Sequence, residues 1–423
     1  MTGLIILIVY IAIFVGAAFV IRLIGQSRQD YTSLKTVTFG DESAVVANGA
    51  ASIISVLTLF LIWGSFTGSN WLPKFLHAPA PFVGDMQFDY TFADANGATD
   101  DATVYVRVLN FGETPSTLEV EPGEGFAKND SVSMQASRSK TITFDKNDDV
   151  KRKDGGEIVA INGEPISKAA PLRLDSGRYV LTDKGAISFS PPRGLQMDPI
   201  YLPPPEKVLE RGIEIATEGY RGFLLHEHVG YSLIRVVTGF LFGCIVGIPL
   251  GYAMGLNGWF RGWFDPIVEF MRPVPPLALI PLIIIWFGIG ETGKIILLFL
   301  AALWIMTIAA RSGVSGVSIS KVHAAYSLGA SKWQIMRYVI IPNSLPEIFT
   351  GARVAMGVCW GTVVAAELVA ASQGAGMMIM VASKFTLTDI VVMGIILIGI
   401  IGFGIDMLMR WAERLLVPWK GRG

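Results

Sequence analysis

Seven stretches of this chain stay apolar for close to the roughly 20 residues that a helix needs to cross the hydrocarbon core of a bilayer. They lie at about 4–23, 44–66, 231–256, 267–287, 295–310, 352–371 and 390–409. Charged residues make up only 16% of the 423, and mean hydropathy is +0.51, which excludes an ordinary soluble domain. The expected fold class is a polytopic α-helical membrane protein of about seven transmembrane helices. The first run has no positive charge ahead of it and exceeds the roughly 7–15 residues of a signal-peptide core, so it reads as an uncleaved helix. Cys244 and Cys359 both fall inside spans and read as small core residues rather than a disulfide or metal pair. The net charge of −1 gives no pointer to nucleic acid.

Short-loop Lys and Arg set orientation. Arg22, Arg28, Lys35, Arg261, Arg311, Lys321, Lys332, Arg337, Arg410, Arg414, Lys420 and Arg422 fall in one set of loops; Lys294 and Lys384 fall in the other. The first set is therefore expected in the cytoplasm, with the N-terminus outside and the C-terminus inside.

Hydropathy collapses between about 78 and 200, after the second span, so this region is expected outside. It reads as strands: "ATVYVRVLNF" alternates with period two, and "SKTITFD", "GEIVAING" and "GRYVLTD" follow. Asn162–Gly163 and the Asp-Gly-Gly at 154–156 read as hairpin turns. An all-β, sandwich-like extracytoplasmic domain is expected. The domains then run 1–43 (first helix and cytoplasmic loop), 44–77 (helix leading outside), 78–200 (β insertion) and 201–423 (membrane core). From Glu206 onward an amphipathic helix is expected along the membrane surface.

Three motifs suggest sites and are read as something simpler. "GIGETGK" at 288–294 fits G-x-G-x-x-G and nearly a P-loop, but Ile295 follows the lysine and the flanks are apolar helices rather than a strand. It reads as a turn between helices, and no ATP site or other cofactor is expected in this chain. "DKNDDVKRKDGGE" at 145–157 spaces Asp145, Asn147 and Asp149 like a calcium loop, but Val150 and Gly156 occupy the required Gly and Glu positions. His226 and His228 flank Glu227, and side chains two apart on a helix diverge; capping or packing is expected of His228.

Charges inside spans are costly and often functional. Glu269, Arg272 and Glu367 are the candidates for a translocation path. Glu269 and Arg272 are spaced to pair with each other, whereas Glu367 in "VAAELVAA" has no partner nearby in sequence. Arg353 and Asp406 are expected to reach the interface. "RPVPP" at 272–276 should open or break its helix.

The polar stretch "HAAYSLGASKWQIMRYVIIPNSLP" at 323–346 is the most informative. Residues 321–328 read as a short helix, with Ala324, Ala325 and Leu328 on a small apolar face. Gly329 allows a sharp turn, and Ser331 can cap a second helix from Lys332 to about Ile340. Pro342 is expected to end that helix and Pro346 to open the next span. Such a stiff cytoplasmic helix–turn–helix suits insertion into a groove on a soluble partner.

This stretch resembles the EAA coupling loop of ABC importer permeases, E-A-A-x-x-x-G-A followed by a proline-containing element. Ala324, Ala325, Gly329, Ala330, Pro342 and Pro346 match within a loop at 319–346, while His323 replaces the usual glutamate. "LPPPEKVLE", "DPIVEFMRPVPPLALIPLIIIWFGIGETGKI", "SLGAS", "VAAELVAA" and "LVPWKG" extend the likeness over 201–421, to the nitrate/sulfonate/taurine permeases and their taurine branch. The resemblance implies a type I importer permease core in a bacterial inner membrane, without enzymatic chemistry of its own. It implies a second, identical permease subunit, two cytoplasmic ATP-binding subunits at the coupling loops and a periplasmic solute-binding protein, in contact with membrane lipid. Nucleic acid is not an expected partner. The implied cargo is taurine or a related sulfonate; nitrate or a pyrimidine precursor are alternatives, as is a membrane-anchored ligand sensor. The extra N-terminal helix and the β insertion depart from the compact family pattern.

Overall fold

The computed structural model describes residues 2–26, 49–110, 113–144 and 146–419. Arg28, Lys35, Lys420 and Arg422 of the orientation argument, and Asp145 of the calcium-like stretch, lie outside the described residues. The chain divides into two compact units, Met1–Lys207 and Val208–Gly423. Among the described residues six helices are long and apolar enough to cross a membrane, and a bent helix pair could supply a seventh.

The first unit opens with two of these helices, α1 (Thr2–Gln26) and α2 (Gly49–Thr67). A braced turn follows α2. Ser69 Oγ donates to Glu206 Oε2 at 2.6 Å, and the Asn70 amide donates to Oε1 at 2.9 Å. Partial burial pushes the Glu206 carboxyl up, but these hydrogen bonds outweigh it and hold the group below the usual carboxylate range.

Two sheets then share one core. The first contains β1 (Gly84–Ala93), β2 (Thr99–Leu109), β3 (Asp130–Gln135), β5 (Glu157–Ile161) and β6 (Glu164–Pro165), in the order β3-β2-β1-β5-β6. The second contains β4 (Lys140–Ile142), β7 (Leu172–Leu174), β8 (Gly177–Leu181) and β9 (Ile187–Ser190), in the order β4-β9-β8-β7. In β2, Ala102, Val104, Val106 and Val108 are buried in strict alternation, as the period-two pattern requires. Phe88 of β1 meets Tyr179 and Phe189 of the other sheet at 4.9 and 5.3 Å between ring centroids.

Asn162 and Gly163, with φ of 48° and 77°, make the β5–β6 hairpin, the two positive angles of a type I′ turn. The turn expected at 154–156 is different: a 3-10 turn at Arg152–Asp154, closed by Gly155 at φ 89°, links strands of different sheets. The first sheet is also mixed, because β3 runs parallel to β2 while the other pairs are antiparallel. The connection of some 20 residues between β2 and β3 makes that crossover possible.

The second unit is helical. It contains α4 (Leu225–Leu256), α5 (Gly258–Met271), α6 (Ile280–Phe287), α7 (Glu291–Ser315), α8 (Ile319–Ser327), α9 (Lys332–Ile335), α10 (Ile341–Ala370), α11 (Ala375–Lys384) and α12 (Thr388–Leu416). The amphipathic helix expected from Glu206 is α3 (Pro205–Thr217), which bridges the boundary between the units in sequence. Its Arg211 pairs with Asp389 at the start of α12, at 3.1 Å.

A glycine at every fourth position, Gly239, Gly243, Gly247 and Gly251, lays a flat face of α4 on α7. A Cβ on Gly243 would stand 2.4 Å from Cβ of Ala302, and one on Gly251 would stand 2.4 Å from the Thr307 carbonyl oxygen. Such close backbone approach drives helix association where no hydrophobic force acts between helices. Gly243→Ala should therefore cost about 1–3 kcal/mol through overpacking. Gly230→Ala, on the same helix with open space around it, should not destabilise. Thermal unfolding in detergent measures both, and equal effects would contradict the packing account.

One sequence expectation holds here and one is corrected. The stretch 267–287 breaks where "RPVPP" leads one to expect it: α5 and the stretch Pro276–Phe287 meet at 90°. Pro273, Pro275 and Pro276 remove three successive chances of a helical N–H bond, so the chain cannot continue straight. Conversely, Pro342 and Pro346 neither end nor open a helix. Lys332–Val369 is one helical run of 38 residues. A π turn at Met336–Ile340 shifts the hydrogen-bond register just before Pro342. Pro346 has no N–H for the Pro342 carbonyl, and the Trp419 indole donates there instead, at 3.2 Å.

Candidate functional site

The expected loop at 319–346 is a helical hairpin in the structure. α8 ends at Ser327 with Leu328 as its C-cap, and Gly329 turns the chain at φ 80°, a left-handed angle that glycine adopts without penalty. Ser331 caps α9: its Oγ accepts from the Gln334 amide, and the Gln334 side chain accepts the Ser331 amide at 2.8 Å. This is a reciprocal capping box. Lys321 Nζ donates to Asn343 Oδ1 at 2.7 Å and ties α8 to the root of α10.

His323 and Ala324 are exposed, while Ala325 and Ala330 are half-buried. Leu328 is 88% exposed, and Tyr326, Trp333 and Tyr338 stand out beside it. The apolar face is thus larger than the Ala324–Ala325–Leu328 patch expected, because the aromatics of the following turn add to it. Exposed apolar clusters of this kind mark interaction sites. Pro342 and Pro346 lie within the helical run just described.

That run ends at the second feature, a buried ionic cluster. Arg235 of α4 is 2% exposed, and Glu367 of α10 is 1% exposed. Arg235 Nη1 donates to Glu367 Oε1 at 2.6 Å and to the Gln373 carbonyl at 2.9 Å. Its other edge grips Glu291 at the start of α7, with Nε–Oε2 at 2.5 Å and Nη2–Oε1 at 2.7 Å, and Lys294 joins Glu291 at 2.9 Å. Ser232 Oγ donates to Glu367 Oε1 at 2.7 Å, and the Gly376 amide donates to Oε2 at 2.9 Å.

His228 completes the cluster. Its Nδ1 accepts from the Gly374 amide at 3.2 Å, so Nε2 carries the proton and donates to the Tyr220 carbonyl at 3.0 Å. Gly374, at φ 131°, is required as glycine on two counts, because a Cβ there would stand 2.4 Å from Glu367 Cδ. The carboxylate of Glu367 accepts from three donors, and α4, α7, α10 and the start of α11 converge on the two charges.

Glu367 therefore has partners, but ones that sequence proximity could not reveal. Arg235, Ser232 and Glu291 were not among the expected site residues. The available signal was a lone arginine in "SLIRVVTGF", an in-span charge that needs a counter-charge. Glu269 and Arg272 form a separate, exposed group. Their mutual distance is 3.7 Å, and the tighter contact of Glu269 is with Arg311 at 3.1 Å, which also pairs with Asp265. Arg353 and Asp406 pair with each other at 3.2 Å. In the "GIGETGK" stretch Gly288–Gly290 make the turn between α6 and α7, with Gly288 at φ 73°, and Glu291–Lys294 form the first turn of α7.

Residues 240–417 match the family of binding-protein-dependent transport system inner membrane components. The taurine transport system permease protein TauC of Escherichia coli (strain K12) is 46% identical over 259 residues, which are 61% of this chain and 92% of that protein. The chain belongs to this permease family. It is a multi-pass inner-membrane subunit of an ABC importer, a transport component rather than an enzyme. The permease is also 37% identical to the putative aliphatic sulfonates transport permease protein SsuC of E. coli (52% of this chain, 82% of that one). It is 32% identical to the bicarbonate transport system permease protein CmpB of Synechococcus elongatus (44% of this chain, 67% of that one).

Proposed function

We propose that this permease carries taurine or a related sulfonate, delivered by a periplasmic binding protein, and is driven by two ATP-binding subunits that grip the hairpin at 319–346. The observation that carries the reading is continuity. The exposed hairpin is rooted in one helical run from Lys332 to Val369, about 55 Å long at 1.5 Å per residue. The far end of that run holds Glu367 in the buried cluster. A push on Leu328, Tyr326 or Trp333 is thus delivered along a stiff rod to the junction of α4, α7 and α11. Motion of this kind is rigid-body repacking of bistable elements.

In this reading His323, Ala324, Ala325, Leu328, Gly329 and Ala330 meet the ATPase. Pro342 and Pro346 seat the rod at its root, and a second copy of the chain completes the pathway. Glu367 acts as the clasp of the switching core and makes no contact with cargo. Glu269 and Arg272, exposed beside the α5–α6 bend, are the better candidates for meeting cargo. The hairpin and C-terminus lie in the cytoplasm; the N-terminus and the β domain lie outside. The names of the relatives favour a sulfonate, and the bicarbonate relative shows how far cargo can vary within the same likeness.

Co-purification with a candidate ATP-binding subunit, and hydrolysis stimulated by taurine-loaded binding protein, test the reading. A full ligand response without any ATPase would instead point to a membrane-anchored sensor.

The β domain, with 13 basic and 19 acidic residues over 82–200, is proposed to dock a basic face of the binding protein. It can be removed cleanly, because Leu195 N donates to the Pro79 carbonyl at 2.7 Å, so both ends of the insertion lie together. Excising 80–194 should leave a folded membrane core with slower uptake at low binding-protein concentration. Unchanged uptake kinetics would contradict docking.

A further inference from the structure

Although the β domain is acidic overall, three of its arginines gather on one small surface. Arg173 of β7 and Arg178 of β8 are direct cross-strand partners, and Ser190 of β9 is the next neighbour of Arg178. Leu172, Leu174 and Tyr179 turn to the core, so both arginines project from the solvent face. Arg193, just beyond β9, lines the same cleft of about 300 Å³, together with Asp175, Gly177, Ser190 and Pro192.

Like charges directly opposite on adjacent strands, with Cβ atoms about 4.5–5.5 Å apart, destabilise a sheet. Among the described residues none of these three arginines has an ion pair within 4 Å, Asp175 included. On the first sheet, by contrast, Arg107 pairs with Asp85 at 2.7 Å. Three unneutralised guanidinium forks around one cleft match a group with several oxygens carrying negative charge.

The position of the cleft narrows the sources of that group. Gly194, next to Arg193, packs against Pro79 and Ala80, and the Met197 amide donates to the carbonyl of Phe66 in α2 at 2.7 Å. Four residues span at most about 14 Å, so the cleft opens close to the end of a membrane span. Both a dissolved oxoanion and a lipid phosphate can reach it.

We propose that Arg173, Arg178 and Arg193 form a binding site for a tetrahedral oxoanion group, sulfate- or phosphate-like, at the membrane-proximal end of the β domain. The negative charge of such a ligand offsets the repulsion between Arg173 and Arg178.

The test uses the full-length permease in nanodiscs. One arm is neutral phosphatidylcholine titrated with inorganic sulfate at millimolar concentration and constant ionic strength, below the range where sulfate stabilises proteins by exclusion. The other arm contains phosphatidylglycerol, with the lipid retained around the protein measured. Wild type should bind sulfate or enrich phosphatidylglycerol, and Arg173→Gln/Arg178→Gln should weaken that by about tenfold or more. Arg193→Gln should fall between. Without anion the double variant should melt no lower than wild type, since a repulsion has been removed.

Sulfate binding without lipid enrichment assigns a dissolved anion. Enrichment that sulfate does not displace assigns the headgroup. Wild type that prefers neither, variants that retain the preference, or an anion-free double variant that melts several degrees lower would each overturn the site.

Discussion

Arg235→Met should lower the stability of the permease by about 3–5 kcal/mol and abolish transport, because it leaves the buried Glu367 carboxylate without its counter-charge. Among the described residues the other partners of that carboxylate are uncharged, the Ser232 hydroxyl and the Gly376 amide. The effect belongs to the pair, so a double-mutant cycle reads it. Replacing both partners of a buried ion pair with apolar groups is often close to neutral. Arg235→Met/Glu367→Met should therefore melt well above Arg235→Met alone, while transport stays lost because α4, α7 and α10 no longer share a clasp. Thermal unfolding in detergent and uptake in vesicles measure the two halves separately. A single Arg235→Met variant that melts like wild type would contradict the clasp.

Gly329→Pro should uncouple ATP hydrolysis from transport while leaving the membrane core folded. The chain passes Gly329 at φ 80°, and proline is locked near −65°. The turn between α8 and α9 must then open, and Leu328 moves away from Trp333. Gly329→Ala keeps the geometry at a cost of about 1–2 kcal/mol for the left-handed angle, so it should lose only part of the coupling. Because Gly329 has open space around it, neither change disturbs packing elsewhere. The distinguishing readout is stimulated hydrolysis with partners present, set against the melting temperature of the permease alone. The glycine account requires the first to fall by about tenfold or more in Gly329→Pro and the second to hold.

What was legible in the sequence was whatever depends on neighbours. Apolar runs gave the spans; the alternation of Val104, Val106 and Val108 gave a two-faced strand; Asn162–Gly163 gave a tight hairpin; and Gly329 and Ser331 gave a turn and a cap. Each follows from side chains within a few positions of one another.

What was not legible depends on distant partners. The clasp joins Arg235 to Glu367 across 132 positions and to Glu291 across 56, and a single charge in a 20-residue apolar window barely alters its hydropathy. Pro342 and Pro346 looked like helix breaks because local rules say so. A π turn and an indole 77 positions away absorb what the second proline takes out. The parallel pairing of β2 with β3 was likewise settled by packing in three dimensions, whereas the break after Met271 was legible in "RPVPP" and only its angle of 90° was not.

The central claim is that the exposed hairpin turns ATP hydrolysis into movement of cargo. It is tested most directly by taurine uptake into proteoliposomes that hold the permease, an ATP-binding subunit and lumenal ATP, with binding protein outside. Uptake should require all of these and collapse when Leu328, 88% exposed on the hairpin, is changed to aspartate, although the variant still folds. Uptake that proceeds without the ATPase, or that Leu328→Asp leaves intact, would contradict the account.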